Sequence, residues 1–122
     1  MTKMIKDSLF RAGYSNLKNF NNGKEAWEYL ESIRNEPDFS ERAGLLITDI
    51  EMPEMDGHRL TKLVKDDEKM RKMPVIIFSS LINEEMRLKG KQLGADEQLS
   101  KPEIGRLVEV MDELLDRREM ES

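Results

Sequence analysis

The sequence predicts an α/β fold, a parallel sheet with helices on both faces. Three observations carry that prediction. Residues 45–49 and 74–78 are short apolar stretches ending at polar side chains, as strands covered on both faces do. The segments between them repeat apolar residues at helical spacing. The order is one helix, then strand and helix four times, and such alternation gives a parallel sheet wound by helices on both sides.

Residues 1–12 read as a helix with Ile5, Leu9 and Ala12 on one face, and Gly13 suits its C-terminal cap. Residues 16–20 form a short strand candidate, closed by the turn signal Asn21-Asn22-Gly23. Ala26, Trp27, Leu30 and Ile33 space a helix over 24–34. Residues 35–44 are polar, contain Pro37, and read as a tolerated surface loop. After the strand at 45–49, Asp56 caps a helix over 58–67 that turns Leu60, Leu63 and Val64 inward. His58, in the first turn of that helix, is expected to be exposed. The strand at 74–78 ends at Ser79-Ser80. Asn83 can cap a helix through Leu93, stopped by Gly94. A brief strand at 97–100 precedes Lys101-Pro102. The helix over 103–117 has the clearest stripe, made by Ile104, Leu107, Val108, Met111, Leu114 and Leu115. The charged residues 116–119 read as its fraying end.

Bulk properties exclude several functions. A chain of 122 residues fits one domain, and folding at this size buries roughly two thirds of the unfolded surface. The net charge of -5 argues against non-specific nucleic-acid binding, which wants a basic surface. The chain has no cysteine, hence no disulfide framework and no thiolate metal site. No apolar run approaches membrane-spanning length, so no membrane insertion is expected, and no signal-peptide core opens the chain. A cytoplasmic location is the default expectation. Met70, Met73 and the other methionines are read as gap-fillers of the core.

Function is written into the ends of the strands. Open α/β sheets bind ligands at the carboxyl ends of their strands. Asp49, Ser79 and Lys101 stand at three successive ends. A carboxylate is a competent nucleophile towards phosphorus and can form an acyl phosphate. A serine hydroxyl can hydrogen-bond a phosphoryl oxygen, and a lysine ammonium balances developing negative charge. Chemistry of this kind also uses Mg²⁺, which prefers oxygen ligands.

From Asp49 to Gly57 an acid is followed by Met-Pro-Glu-Met-Asp-Gly, with Ser79 thirty positions on and Lys101-Pro102 twenty-two further. In these residues the chain resembles the receiver domain of two-component response regulators over essentially its whole length. The resemblance implies a flavodoxin-like doubly wound parallel sheet of five strands in the order 2-1-3-4-5. It implies that Asp49 accepts a phosphoryl group from a histidine kinase. Asp49 and the Glu51 backbone carbonyl would bind Mg²⁺, while Ser79 and Lys101 would engage the phosphoryl group. The stretches Ile76 to Asn83, Lys89-Gly90, Gly94-Ala95-Asp96 and Ser100 to Glu103 resemble more narrowly the receiver of CheV-type chemotaxis coupling proteins. That match implies a chemotaxis histidine kinase as partner. It also implies an adaptor domain similar to CheW in the full-length protein.

The chain departs from the family pattern in two ways. Aligning Gly13 with the glycine after the family's first helix puts the first strand, and the acid pair that ends it, before Met1. Residues 1–122 are therefore expected to be an N-terminally incomplete receiver domain. This chain is expected to bind Mg²⁺ weakly and to take up phosphate poorly. An exposed edge on the strand at 45–49 could then pair two copies into a strand-exchanged dimer. The second departure is Gln98, where many receivers carry an aromatic residue. The alternative reading is a pseudo-receiver, a module that only binds proteins. A phosphohydrolase ranks below both, because such enzymes want an aspartate two residues after the first and the chain has Glu51 there.

Overall fold

Three parallel strands, β1 (Leu46–Thr48), β2 (Val75–Ser79) and β3 (Glu97–Ser100), lie side by side in that order. Leu46 pairs with Val75 and Thr48 with Ile77, while Ile76 pairs with Glu97 and Ser79 with Ser100. The structure, a computed structural model, describes residues 7, 9–11, 13, 18, 20, 22–50, 55–79 and 83–121, without the side chains of 40, 101, 102, 104 and 118–121. Every residue of β2 is buried, as expected of a strand with neighbours on both edges and helices on both faces.

The helices form where caps and apolar spacing coincide. α1 (Gly23–Ile33) starts at Asn22, whose side chain accepts from the Glu25 N–H at 2.8 Å. It buries Ala26, Leu30 and Ile33 along one stripe. A single helical turn, α2 (Phe39–Arg42), precedes β1. α3 (Gly57–Asp66) is capped by Asp56, which accepts from the Arg59 N–H at 2.8 Å. α4 (Glu84–Leu93) is capped by Asn83 and ends at Gly94, whose φ of 98° is a left-handed cap that suits glycine. A 3-10 turn at Lys101–Arg106 leads into α5 (Leu107–Glu121).

The core lies on both faces of the sheet. On one face Ala26, Leu30, Ile33, Phe39, Leu60, Val64, Met70 and Met73 pack with Val75. On the other, Leu9, Leu107, Val110, Met111 and Leu114 pack with Ile76, Phe78 and Leu99. Neighbouring residues of β2 thus serve opposite cores, as strand geometry requires. Met70 and Met73 fill the first core, as expected of gap-fillers.

Several expectations are corrected. The segment 35–44 is not a surface insertion: Phe39 and Ala43 are buried in the core through α2. His58 is buried rather than exposed, because α4 packs beside α3. The last helix begins at Leu107, not at 103, because Lys101–Arg106 forms a 3-10 segment with non-helical backbone at Glu103. Helical backbone also continues to Glu121 through the charged residues expected to fray. Of the first predicted helix, residues 7 and 9–11 are helical and Gly13 has a positive φ of 98°; the rest lies outside the described residues. The predicted strand at 16–20 lies outside them too, apart from Lys18 and Phe20, neither of which is in a strand.

Candidate functional site

The three predicted residues come to one edge of the sheet. Asp49 directly follows β1, Ser79 is the last residue of β2, and Lys101 directly follows β3. Register places Asp49 one step beyond the Thr48–Ile77 pair and Ser79 level with Ser100. Adjacent strands are about 4.8 Å apart, so backbone two strands away is about 10 Å distant. Asp49 is half-buried and Ser79 is 4% exposed. The side chain of Lys101, together with Glu51 and Ser80, lies outside the described part of the structure.

Backbone packing fixes the turn that carries Asp49. Gly57 donates its N–H to the Ile50 carbonyl at 3.0 Å. A Cβ on Gly57 would overlap the Asp49 carbonyl oxygen and lie 2.8 Å from its carbon. A Cβ on Gly23, the first residue of α1, would overlap the Met55 carbonyl oxygen. Two helix starts therefore press on the segment after β1 at points where only glycine fits. The sequence marks Asp56-Gly57 as a helix start; the close approach to Asp49 is visible only once α3 is seated on β1.

Glu103 holds the end of β3. Its Oε1 accepts from the Ser100 N–H at 3.1 Å and from the Ser100 hydroxyl at 2.9 Å. Its Oε2 pairs with Arg106 at 3.0 Å. The Ser100 N–H, then the Ser100 hydroxyl and Arg106 hold the Glu103 carboxyl below its ordinary pKa, against a smaller opposing effect of burial. A depressed carboxyl contributes stability above its unfolded value of 4.5, and that contribution is lost as pH falls through the folded value. Urea unfolding in the acid range is therefore expected to lose less stability on acidification in Glu103→Gln than in wild type. Equal slopes would remove this role for Glu103.

Gln98 faces α4. Its Nε2 donates to the Arg87 carbonyl at 2.8 Å, and its Oε1 lies 2.5 Å from where a Cβ on Gly90 would sit. A glycine in α4 thus makes room for the buried amide of Gln98, the position at which the sequence departs from the receiver pattern.

No three acidic or histidine side chains come together as a metal cluster among the described residues. No helix among them is long and apolar enough to cross a membrane.

The sequence matches the family described as the response regulator receiver domain over residues 1–112. The chain belongs to that family. It is 35% identical over 80 residues to the chemotaxis protein CheY1 of Helicobacter pylori, a match covering 66% of this chain and 59% of that protein. It is 33% identical over 96 residues to the chemotaxis protein CheV2 of the same organism, covering 79% of this chain and 29% of CheV2. The chain therefore spans less than two thirds of the length of these relatives. Among solved structures it resembles the signal receiver domain of a signal transduction histidine kinase from Syntrophus aciditrophicus. That likeness has a TM-score of 0.75 and 30% identity, covering 93% of this chain and 80% of the other. The doubly wound parallel sheet is thus the flavodoxin-like fold of a receiver, here with three strands among the described residues. Receiver domains are phosphoacceptors of two-component signalling rather than enzymes acting on a free substrate.

Proposed function

We propose that this receiver accepts a phosphoryl group on Asp49 from a histidine kinase of the chemotaxis type. A carboxylate oxygen of Asp49 attacks phosphorus. The bond from phosphorus to the donor histidine nitrogen breaks, its electron pair returns to that nitrogen, and an acyl phosphate forms. The Ser79 hydroxyl donates to a phosphoryl oxygen, and the Lys101 ammonium balances its charge. The observation that carries this reading is the placement of Asp49 at the carboxyl end of β1, with Ser79 and Lys101 at the ends of the next two strands. Any later loss of the phosphoryl group is self-catalysed.

The same reading takes residues 1–122 as one receiver domain, in which Asp49 and the Glu51 carbonyl would contribute to Mg²⁺ binding. The likeness to the chemotaxis protein CheV2 favours a chemotaxis role, and a CheW-like adaptor as a neighbouring domain and a cytoplasmic place of action belong to the same proposal. A strand-exchanged dimer remains the alternative way to complete the sheet. Chromatography at several concentrations tests it, and a monomer throughout would exclude it.

The test is intact-mass spectrometry after incubation with acetyl phosphate and Mg²⁺. It uses this chain and a version carrying the first strand and acid pair of a CheY-type receiver ahead of Met1. One phosphoryl adduct is expected on the grafted form, much less on the chain alone, and none in Asp49→Asn. No adduct on either form would leave the pseudo-receiver reading.

A further inference from the structure

The seam between α3 and α4 contains a group that the phosphoacceptor chemistry does not use. His58 is the single histidine of the chain and is only 6% exposed. Its Nε2 is buried and has no hydrogen-bond partner among the described residues. From α4, Lys89 and the backbone of Met86 face the ring, and from its own helix Asp56 does so. Beneath α4, β3 contributes the uncharged Gln98.

The two helices are seated very differently. α3 is locked by Leu60, Thr61 and Val64, all essentially inaccessible. α4 buries only Gly90 among its residues and leaves Leu88 exposed. Its described ties to the sheet are the Gln98 amide on the Arg87 carbonyl and a longer return bond from Arg87 Nη1 to the Gln98 carbonyl at 3.4 Å.

We propose that His58 makes the seating of α4 sensitive to acid, so that protonation of the ring loosens α4 while α3 and the sheet hold. A charged imidazole carries an N–H on both nitrogens, whereas the Met86 carbonyl is the one backbone acceptor beside the ring among the described residues. The new charge would also be repelled by the exposed Lys89 ammonium. Of the two helices that could yield, α4 is the one with little buried surface.

Burial, and then Lys89, hold the ring below its ordinary value of 6.5; Asp56 and the Met86 carbonyl oppose them less strongly. The neutral ring's contribution is therefore complete above that ordinary value. It is lost as pH falls below it towards the folded value. Because α4 begins five residues beyond Ser79 in the chain, the device would link acidity to the helix following the site.

The test is amide hydrogen exchange with protection factors corrected for intrinsic rates, at about pH 7.5 and about pH 5. The single imidazole is followed in parallel by NMR. Amides of 84–93 are expected to lose protection on acidification, because the opened state binds the imidazole proton more tightly than the folded one. Those of β2 and α5 should stay constant, and His58→Gln should flatten the response. Lys89→Gln, which removes an exposed charge and should fold normally, is expected to raise the imidazole midpoint and shrink the loss. Equal loss across all elements, an unchanged response in His58→Gln, or an imidazole midpoint at the ordinary value and unmoved in Lys89→Gln, would each overturn the proposal.

Discussion

Gly57→Ala is expected to destabilise the fold by about 3 kcal/mol or more and to displace Asp49. Alanine is the better helix former, by up to about 1 kcal/mol in a helix interior and less at a first position. Against that gain stands a Cβ overlapping the Asp49 carbonyl oxygen and 3.1 Å from the Thr48 hydroxyl. Both groups in the overlap are backbone, so no side-chain rotation relieves it. Either α3 lifts from β1, exposing Leu60 and Val64, or the turn after β1 shifts with the proposed nucleophile. Lifting α3 would also lengthen the Gly57 N–H bond to the Ile50 carbonyl. Urea unfolding measures the stability loss, and the Asp49 amide shift reports the displacement. Gly23→Ala, which meets Met55 at the other side of the turn, is expected to behave similarly but to move Asp49 less. A Gly57→Ala protein as stable as wild type would mean that α3 does not press on Asp49.

Much of this arrangement is legible before any coordinates. The runs at 45–49 and 74–78 reveal strands because a parallel strand covered on both faces has no need of polar alternation. Asp49, Ser79 and Lys101 fall at strand ends by chain order alone, so their gathering at one edge follows from the topology. What stays hidden comes from contacts between elements. The burial of His58 depends on α4 lying beside α3, which no local pattern encodes. Phe39 and Ala43 enter the core from a segment whose composition is that of a loop, because one helical turn suffices to face both inward. The late start of α5 follows a 3-10 segment over Lys101–Arg106 with non-helical backbone at Glu103, which the apolar stripe does not encode. The glycine requirement at Gly57 is invisible for the same reason: the obstacle is the carbonyl of Asp49, brought there by tertiary packing.

At the opposite edge of the sheet, removing Lys65 is expected to cost more than a surface ion pair would suggest. The ammonium of Lys65 uses its three donors on the Arg71 carbonyl at 3.1 Å, the Met73 carbonyl at 3.0 Å and the Asp96 carboxylate at 2.8 Å. The same Asp96 oxygen accepts from the Val75 N–H at 2.8 Å, and the Asp96 N–H donates to the Val75 carbonyl at 2.9 Å. The Lys65 stem also lies 3.1 Å from where a Cβ on Gly94 would sit. One side chain thus ties α3, the connection to β2, the start of β2 and the approach to β3. Exposed pairs contribute about 0–1 kcal/mol, whereas breaking a fully buried pair costs about 3–5 kcal/mol. The side chains here are 15% and 33% exposed, which places the pair between those limits. Lys65→Met keeps the apolar stem but strands two carbonyls and a carboxylate, and is expected to destabilise by about 2–3 kcal/mol. Asp96→Ala leaves the Val75 N–H unpaired and the ammonium with only its two carbonyl acceptors, and should cost a similar amount. Because both changes remove one bond, the double variant should cost clearly less than their sum. Chemical unfolding of the three variants gives the coupling; strict additivity would mean that the two residues act independently. The pair lies at the amino ends of the strands, away from Asp49. Phosphoryl uptake by the grafted form should therefore survive Lys65→Met wherever that protein is folded, separating the determinants of stability from those of chemistry.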